Sequence, residues 1–205
     1  MEENTKKMIR GELYNADTKE LHELRVKCAR LYKEYNNLEE DDPRRKEILK
    51  ELLGEKGEGV FLRGPIYFDY GFNTKIGNYS YANFNFTVLD VCPVTIGNNV
   101  YMATNVSLLT ALHPLVAEER NIYFDEEVGY MHDDEYGAPI VIEDNVWIAG
   151  NVLVGPGVTI GKGSVIGAGS VVLHDIPAGV LAAGNPCKVI RKIVDADRIK
   201  KPKNI

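Results

Sequence analysis

Residues 142–172 read IEDNVW-IAGNVL-VGPGVT-IGKGSV-IGAGSV-V, so an aliphatic residue returns at every sixth position. Six is a multiple of the two-residue period of a β-strand but not of the 3.6-residue helical turn, which predicts short strands and excludes a helix. The position four residues after each aliphatic residue lies on the same strand face, so both sets are predicted to point inward. Tandem hexads of this kind predict a parallel β-helix. The two inward sets are Ile142, Ile148, Val154, Ile160, Ile166 and Val172, and Val146, Val152, Val158, Ser164, Ser170 and Ile176.

Glycines mark the predicted corners, because glycine reaches positive φ without steric cost. Six residues are assigned this role: Gly155, Gly157, Gly161, Gly163, Gly167 and Gly169. Asn83 occupies a position where other hexads mostly carry Gly, and since asparagine tolerates the left-handed conformation, a structural corner is one interpretation. The other is that its amide donates a hydrogen bond to a substrate or to a developing oxyanion.

The hexads also occupy the middle of the chain, but their register changes twice. Ile96 lies twenty residues after Ile76, two more than three hexads, which predicts an irregular corner around Cys92. The repeat breaks again over residues 112–139, which hold eight acidic residues and one basic residue, Arg120. Structureless loops longer than about 12–15 residues are uncommon in compact domains and are often functional. We therefore interpret this extruded loop as part of a functional site.

Three segments are predicted along the chain. The N-terminal segment, residues 1–57, carries apolar residues at helical spacing. Its first predicted helix begins at a capping box, Asp17-Thr18-Lys19-Glu20, and a second helix runs from Asp42 to Leu53. Its apolar residues are Leu21, Leu24, Cys28, Leu31, Tyr32 and Tyr35. The segments are a helical N-terminal segment (1–57), a mainly β domain with the β-helix and its extruded loop (58–192), and a basic tail with Lys200 (193–205) that helps to cover the end of the solenoid.

Composition excludes several classes of function. The net charge of −6 and sequence pI of about 5.3 argue against nucleic-acid binding, which needs a basic face. No stretch has the roughly 18 apolar residues of a membrane span, and the polar N-terminus lacks a signal peptide's apolar core, so a cytoplasmic protein without a membrane partner is predicted. The spacing of Cys28, Cys92 and Cys187 predicts buried thiols. No nucleotide-binding glycine motif is complete, so ATP use is not expected.

Of the four histidines, His113 has the most informative position. Counted from the inward Leu108, it is the sixth residue of its hexad, the outward place that Tyr81, Tyr101 and Trp147 also hold. It is therefore predicted to face a groove at the mouth of the loop. Imidazole titrates near neutral pH and can act as a general base. The alternative is an ordinary surface histidine.

Asp17 and Trp147 each allow two interpretations. Asp17 is either only a helix N-cap or a carboxylate that also accepts substrate hydroxyl groups. Trp147 either packs against a neighbouring chain or cap, or forms the wall of a cofactor site. His174, beside the final coil, is placed to contact a ligand, whereas His22 lies on the first predicted helix and His132 in the acidic loop.

Several motifs in order make the chain resemble the hexapeptide-repeat acyltransferases, specifically the maltose and galactoside O-acetyltransferases. The motifs are Met8-Ile9-Arg10-Gly11-Glu12-Leu13-Tyr14, Tyr81-Ala82-Asn83-Phe84-Asn85, Leu89-Asp90-Val91-Cys92-Pro93, His113-Pro114, Asn145-Val146-Trp147-Ile148 and Ala183-Gly184-Asn185-Pro186-Cys187. The third of them is more similar to the maltose type. The resemblance covers nearly the whole chain and implies a left-handed β-helix, an exception to the usual crossover rule, and a homotrimer with active sites in grooves between subunits.

The resemblance also implies the chemistry: an acetyl group passes from acetyl-coenzyme A to a sugar hydroxyl, with His113 as general base, Asn83 as a second catalytic residue and no metal. The acceptor sugar, of the maltose, glucose or galactoside class, would contact Asp17, Asp69 and Asn83. Coenzyme A would contact Asn83, Trp147, Gly150, Ala168, Leu173, His174, Lys188 and Arg191, of which the last two suit its phosphates.

The chain departs from the family pattern at two positions and leaves two other functions open. Galactoside-type members carry a serine where this chain has Asp69 and an aspartate where it has Val91, and the loop after His113 is longer than in typical bacterial members. A γ-type carbonic anhydrase would need three converging histidines on zinc, but only His113 and His174 flank the coils. A non-catalytic solenoid used for assembly is the other alternative.

Overall fold

The chain winds into a three-sided prism of mainly parallel β-strands, so the β-helix predicted from the hexads is confirmed. The computed structural model describes residues 1–126 and 129–199. Each side is one sheet, to which successive coils add neighbouring strands. The first sheet contains Glu55–Lys56, Thr74–Ile76, Val94–Ile96, Ile140–Ile142 and Thr159–Ile160; the second contains Phe61–Leu62, Tyr81–Ala82, Tyr101–Met102, Trp147–Ile148, Val165–Ile166, Val180–Ala183 and Lys188–Lys192; the third contains Ile66–Phe68, Phe86–Leu89, Ser107–Leu109, Leu153–Val154 and Val171–Val172.

The interior of the prism is filled by the two predicted sets of inward residues. The aliphatic residues of the hexads from Ile142 to Val172 are inaccessible to solvent, and the residues four positions further on are buried as well. Ser164 and Ser170 belong to the second set, and their hydroxyl groups donate to backbone carbonyl oxygens at 2.7 and 2.5 Å and each accept one backbone N–H. Buried polar groups of this kind are tolerated because they are hydrogen-bonded. The three cysteines are buried and free, as predicted.

Left-handed backbone occurs at one position of the corners. Gly157, Gly163 and Gly169 have φ values of 77°, 69° and 70°, and Asn85 holds the equivalent position of an earlier coil with φ 59°. The prediction of Asn83 as a left-handed corner residue is therefore wrong by two positions. Asn83 directly follows the buried Ala82 at the end of its strand. Residues in this position of the hexad have negative φ.

Gly155, Gly161 and Gly167 were assigned positive φ on the same grounds, and this prediction is also wrong. A Cβ atom on Gly161 would lie 2.4 Å from the backbone nitrogen of Ala178 in the next coil. Glycine is required there because adjacent coils approach closely, not because the backbone is left-handed.

The edge between the third and first sheets is irregular. Inward residues on the two sides of this edge are eight positions apart in two successive coils, from Phe68 to Ile76 and from Val88 to Ile96. In the last coil they are four positions apart, from Val172 to Ile176, and the remaining hexads keep a spacing of six. The irregular corner predicted around Cys92 is confirmed, and a second one occurs one coil earlier. Residues 112–139 leave the prism at the same edge one coil later, so three departures from the repeat lie next to one another.

The excursion at residues 112–139 is folded and held at both ends. It contains a short helix, Ala117–Arg120, a hairpin of Tyr123–Asp125 with Tyr130–His132, and a strand, Asp134–Gly137. That last strand pairs with Ala111–Leu112 on one side and with Tyr14–Asn15 on the other. The loop therefore connects the prism to the N-terminal segment.

The N-terminal segment contains three helices, Glu3–Arg10, Lys19–Asn37 and Arg44–Leu52. The sequence predicts the second and third but not the first. The predicted capping box is wrong: no side chain caps the second helix, and the Glu20 carboxylate instead accepts the backbone N–H of Glu2 at 2.9 Å. None of the helices in residues 1–126 and 129–199 is both long and apolar enough to cross a bilayer. The predicted apolar face is confirmed by the burial of Leu21, Cys28, Leu31 and Tyr35.

An antiparallel pair covers the C-terminal end of the second sheet. The strand Val180–Ala183, which the sequence predicts, pairs with Lys188–Lys192. A turn of 3-10 helix follows at Asp195–Asp197. Residues 200–205 of the predicted tail, which include Lys200, lie outside the described residues.

Candidate active site

His113 lies at the irregular edge of the prism, directly after the strand Ala111–Leu112. Its side chain is 48% exposed, so the predicted outward orientation is confirmed. Its Nε2 atom lies 3.8 Å from Oε1 of Glu135. A carboxylate in this position can orient an imidazole ring and stabilise the imidazolium that forms when the ring takes a proton.

Glu135 is itself fixed by the N-terminal segment. The hydroxyl of Tyr14 donates a 2.6 Å hydrogen bond to Oε2 of Glu135, although the two residues are 121 positions apart. Tyr14 is buried, and its burial together with the Glu135 carboxylate raises the pKa of the phenol, which therefore stays protonated as a donor. The pairing of Tyr14–Asn15 with Asp134–Gly137 makes this contact possible. The sequence analysis did not identify Glu135, because nothing in the acidic loop distinguishes it from seven other acidic residues.

A pocket of about 450 Å³ opens beside these residues. Ligand pockets of a few hundred Å³ hold small molecules such as a sugar. The pocket brings together two of the three predicted acceptor residues, Asp17 and Asp69, which lie far apart in sequence. It shares Glu135 with the His113 contact. Its walls come from the N-terminal segment, two irregular corners and the excursion: Ala16, Asp17, Arg25, Asp69, Tyr70, Val91, Ile122, Asp133 and Glu135.

Asp69 has an unusual charge environment. Burial, and then the nearby Glu135 carboxylate, raise the pKa of Asp69 to about 6, while Arg25 acts in the opposite direction. The guanidinium of Arg25 does not bond this carboxylate; it donates to the carbonyl oxygen of Ala16 at 3.1 Å and to the Tyr70 hydroxyl at 2.8 Å. Asp69 thus loses part of its charge in slightly acidic solution unless a ligand supplies a cation or a donor.

Asp90 anchors the wall of the pocket from inside the prism. Its Oδ1 atom accepts the backbone N–H groups of Tyr70 and Gly71 at 2.9 and 3.1 Å, and its Oδ2 atom accepts the Thr74 hydroxyl at 2.9 Å. Burial raises the pKa of Asp90 to about 7, against these three hydrogen bonds. Sequence analysis noted Asp90 only as part of a family motif. Its structural role is to hold the irregular corner after Asp69.

We expect Asp90→Ala to lower the free energy of unfolding by at least about 2 kcal/mol, because two buried backbone donors and a hydroxyl lose their acceptor.

Asp90→Asn keeps an acceptor and cannot ionise. Since the folded-state pKa is raised, the contribution of Asp90 to stability is complete below the unfolded value and is lost as the pH rises through about 7. In urea unfolding, the free energy of unfolding of Asp90→Asn relative to wild type should therefore be higher at pH 8 than at pH 5. An unchanged difference would mean that Asp90 titrates alike in both states.

Three of the predicted coenzyme A residues, Asn83, Gly150 and Ala168, lie on a different edge, between the second and third sheets. Leu173 and His174 instead directly follow the strand Val171–Val172 of the third sheet. The backbone N–H of Gly169 donates to the carbonyl oxygen of Gly150 at 2.9 Å, so Gly150 and Ala168 lie in adjacent coils on this edge. Asn83 lies further along it, and its Oδ1 atom accepts the backbone N–H of Phe84 at 2.8 Å. Asn83 does not line the pocket that holds Asp17, and no hydrogen bond within the described ranges joins its side chain to His113. Leu173 and His174 are exposed.

The remaining predicted cofactor residues lie on the second sheet. Trp147 is 52% exposed and pairs with Tyr101, which is 53% exposed, so its outward orientation is confirmed. Lys188 and Arg191 lie on the exposed last strand. The guanidinium of Arg191 already forms two hydrogen bonds with Asp197, at 2.7 and 2.8 Å, so a phosphate would have to compete for it.

His113, Asp133 and Glu135 place one ligand atom each within 4.8 Å of one another. It is the one group of three or more His, Cys, Asp and Glu side chains in residues 1–126 and 129–199 that could hold a metal ion. The group contains a single histidine. The three-histidine zinc site that a γ-type carbonic anhydrase would need is not formed by the described residues.

Comparison with known proteins gives matches along nearly the whole chain. The maltose acetyltransferase hexapeptide capping motif matches residues 7–57, and six bacterial transferase hexapeptide repeats match residues 139–174. The chain is 42% identical to a galactoside O-acetyltransferase of Escherichia coli, over 95% of this chain and 91% of that protein. The crystal structure of a maltose O-acetyltransferase from Clostridium difficile is similar with a TM-score of 0.85 and 42% identity, covering 94% of this chain and 98% of the other.

A structure of a galactoside acetyltransferase in complex with coenzyme A is similar at a TM-score of 0.85 and 39% identity, covering 100% of this chain and 99% of the other. These likenesses extend over the helical segment, the prism and the excursion that together build the pocket. The chain therefore belongs to the maltose and galactoside O-acetyltransferase family of hexapeptide-repeat acetyltransferases.

Proposed function

We propose that this protein transfers the acetyl group of acetyl-coenzyme A to a hydroxyl group of a sugar, with His113 as general base. The observation that supports this most directly is the half-exposed imidazole of His113 at the border of a sugar-sized pocket, with Glu135 beside its Nε2 atom. The relative in complex with coenzyme A supports acetyl-coenzyme A as the donor.

The proposed reaction uses the side chains in a simple order. The sugar oxygen attacks the thioester carbonyl carbon while His113 takes the hydroxyl proton, and the Glu135 carboxylate stabilises the resulting imidazolium. The intermediate collapses as the carbon–sulfur bond breaks, and the proton passes to the sulfur of coenzyme A. This base catalysis requires no metal ion. Asp17 and Asp69 would accept sugar hydroxyl groups, and the Asn83 amide would donate to the developing oxyanion.

We propose a homotrimer in which the edge with Asn83 on one subunit meets the edge with His113 on the next. Support comes from the separation of these two residues within one chain and from the exposed aromatic side chains of the second sheet, Phe61, Tyr101 and Trp147. The coenzyme A contacts of Trp147, Gly150, Ala168, Leu173, His174, Lys188 and Arg191 would lie along this groove. A cytoplasmic location stays a prediction.

The proposed activity is tested by following thiol release from acetyl-coenzyme A with glucose, maltose and a galactoside as acceptors. Acceptor-dependent release and a sugar ester in the product are expected. If none of these three sugars, nor an amino sugar tested beside them, increases release above the rate with water alone, the proposed activity is wrong and a non-catalytic solenoid is favoured.

Tyr14→Phe is expected to lower kcat about tenfold and to leave the KM for acetyl-coenzyme A unchanged. The variant removes the hydrogen bond that fixes Glu135, and a hydrogen bond to a charged group is worth about 1.5–3 kcal/mol. Tyr67→Phe, on the exposed face of the third sheet, is the matched control and should match wild type. Equal kcat values for the two variants would show that Tyr14 does not position Glu135.

A further inference from the structure

The acceptor pocket carries an excess of negative charge. Four carboxylates line it, from Asp17, Asp69, Asp133 and Glu135, against one guanidinium, that of Arg25. Among the described residues, no lysine or arginine forms an ion pair with any of these four, and the sole ion-pair partner recorded for them is His113. Carboxylates can accept hydrogen bonds from the hydroxyl groups of a neutral sugar, but such a sugar leaves the excess of negative charge in this pocket unbalanced.

The carboxylates also face one another across the pocket. Asp69 lies on an irregular corner of the prism, whereas Asp133 and Glu135 lie on the excursion, and the charge of Glu135 acts on Asp69 strongly enough to raise its pKa. Arg25 is held by uncharged oxygens. The other charged or titratable groups around Asp69 are Arg25, Asp90, Tyr14, Tyr32, Tyr70 and Cys28. Like charges in a partly buried site are stabilised when a cation enters between them.

The charge is next to the reacting group. The ligand atoms of Asp133 and Glu135 lie within 4.8 Å of each other and of the His113 imidazole. A cationic group held by these carboxylates would therefore belong to the part of the acceptor that carries the reacting hydroxyl. A protonated amine on a carbon next to the hydroxyl-bearing carbon, or one carbon further away, meets this requirement.

From this arrangement we infer that the preferred acceptor is an amino sugar, bound with its ammonium group between Asp69, Asp133 and Glu135. The inference rests on the proposed acetyl transfer and specifies its substrate class. The ammonium keeps its proton and has no free electron pair, so the attacking atom is a neighbouring hydroxyl oxygen. A carbon–oxygen bond forms to the acetyl carbon, the carbon–sulfur bond breaks, and the hydroxyl proton passes through His113 to the sulfur of coenzyme A.

The test compares three acceptors of similar shape: glucosamine, which is cationic, and glucose and N-acetylglucosamine, which are neutral. We expect kcat/KM for glucosamine to exceed that for glucose by about ten- to a hundredfold at pH 6.5 and low salt, with an O-acetyl product by NMR. The preference should shrink as ionic strength rises, because salt screens partly exposed charges. Asp133→Asn should reduce the ratio of the two kcat/KM values about tenfold, whereas Glu118→Gln, an exposed acid of the same excursion, should leave it unchanged.

Each other outcome has a definite meaning. Acetylation of glucose at a rate equal to that of glucosamine overturns the inference but leaves the proposed activity intact. An N-acetyl product, or a preference that disappears when a chelator is added, also overturns it, since the charge would then serve a free amine or a metal ion at His113, Asp133 and Glu135. Absence of transfer to all three acceptors, while maltose or a galactoside is acetylated, overturns the inference alone. Absence of transfer to every one of these sugars overturns both the inference and the proposed activity.

Discussion

His113→Ala is expected to lower kcat by about 10²–10⁴-fold, the usual contribution of a positioned general base. The imidazole of His113 lies beside the pocket, where it can take a proton from an acceptor hydroxyl. The Glu135 carboxylate would then balance the positive charge of the imidazolium. The melting temperature should stay near that of wild type, because the side chain is 48% exposed and its loss leaves no cavity in the core.

The measurement is thiol release at saturating acetyl-coenzyme A and acceptor, together with a thermal melt. His22→Ala, an exposed histidine of the second helix, is the control for a general effect of removing an imidazole and should retain wild-type turnover. If His113→Ala retains turnover within about twofold of wild type, the base role belongs to another residue. Activity restored by added imidazole would support the assignment further.

Ile160→Asp is expected to prevent folding or to lower the melting temperature by more than about 10 °C. Ile160 is inaccessible to solvent in the strand Thr159–Ile160, between Ile142 of the coil before it and Ile176 of the coil after it. The substitution removes roughly 1.5–3 kcal/mol of side-chain burial and places a carboxyl where no water or donor can reach it. Because each coil packs only on its neighbours, a break here separates the C-terminal coils from the rest.

Ile160→Val is the matched variant for this position. It keeps an apolar side chain and should cost only about 0.5–1.5 kcal/mol. Both are compared with wild type by circular dichroism during heating and by the yield of folded protein. A folded Ile160→Asp variant with an unchanged melting temperature would contradict the inward orientation of the hexad residues.

Part of the site, His113, could be located from the sequence, because the hexad register gives the direction in which each side chain points. His113 could be assigned an outward direction because it is counted from the buried Leu108, five residues earlier, where the repeat breaks. Asp69 was assigned only by resemblance, and residue type alone left Asp17 either a helix N-cap or a substrate contact. The structure places both in one pocket. Glu135 and Asp133 were not identified, because strand pairing between residues 14–15 and 134–135 brings them there and no local pattern encodes that pairing.

Errors at the local level have the same origin. The capping box failed because Glu20 bonds the distant Glu2 instead of its own helix. The corner role given to Asn83 failed because the left-handed position falls on Asn85, two residues later. Glycine at Gly161 is explained by the approach of the next coil, not by its own φ. In each case the local conformation or hydrogen bond depended on a contact between segments, or on the position within the hexad, and not on the residue type alone.

The hexad pattern was enough to predict the prism, its core and the outward direction of His113, because a six-residue period fits strand geometry and buries equivalent side chains in successive coils. The pocket could not be predicted in this way, because it forms by contacts between distant segments. The repeat departs from six residues at one edge in three neighbouring coils, and the excursion there pairs with the chain's first strand, which lies about 120 residues earlier. Contacts over that separation depend on packing and hydrogen bonding between segments, so the acidic environment of His113 appears only in the folded chain.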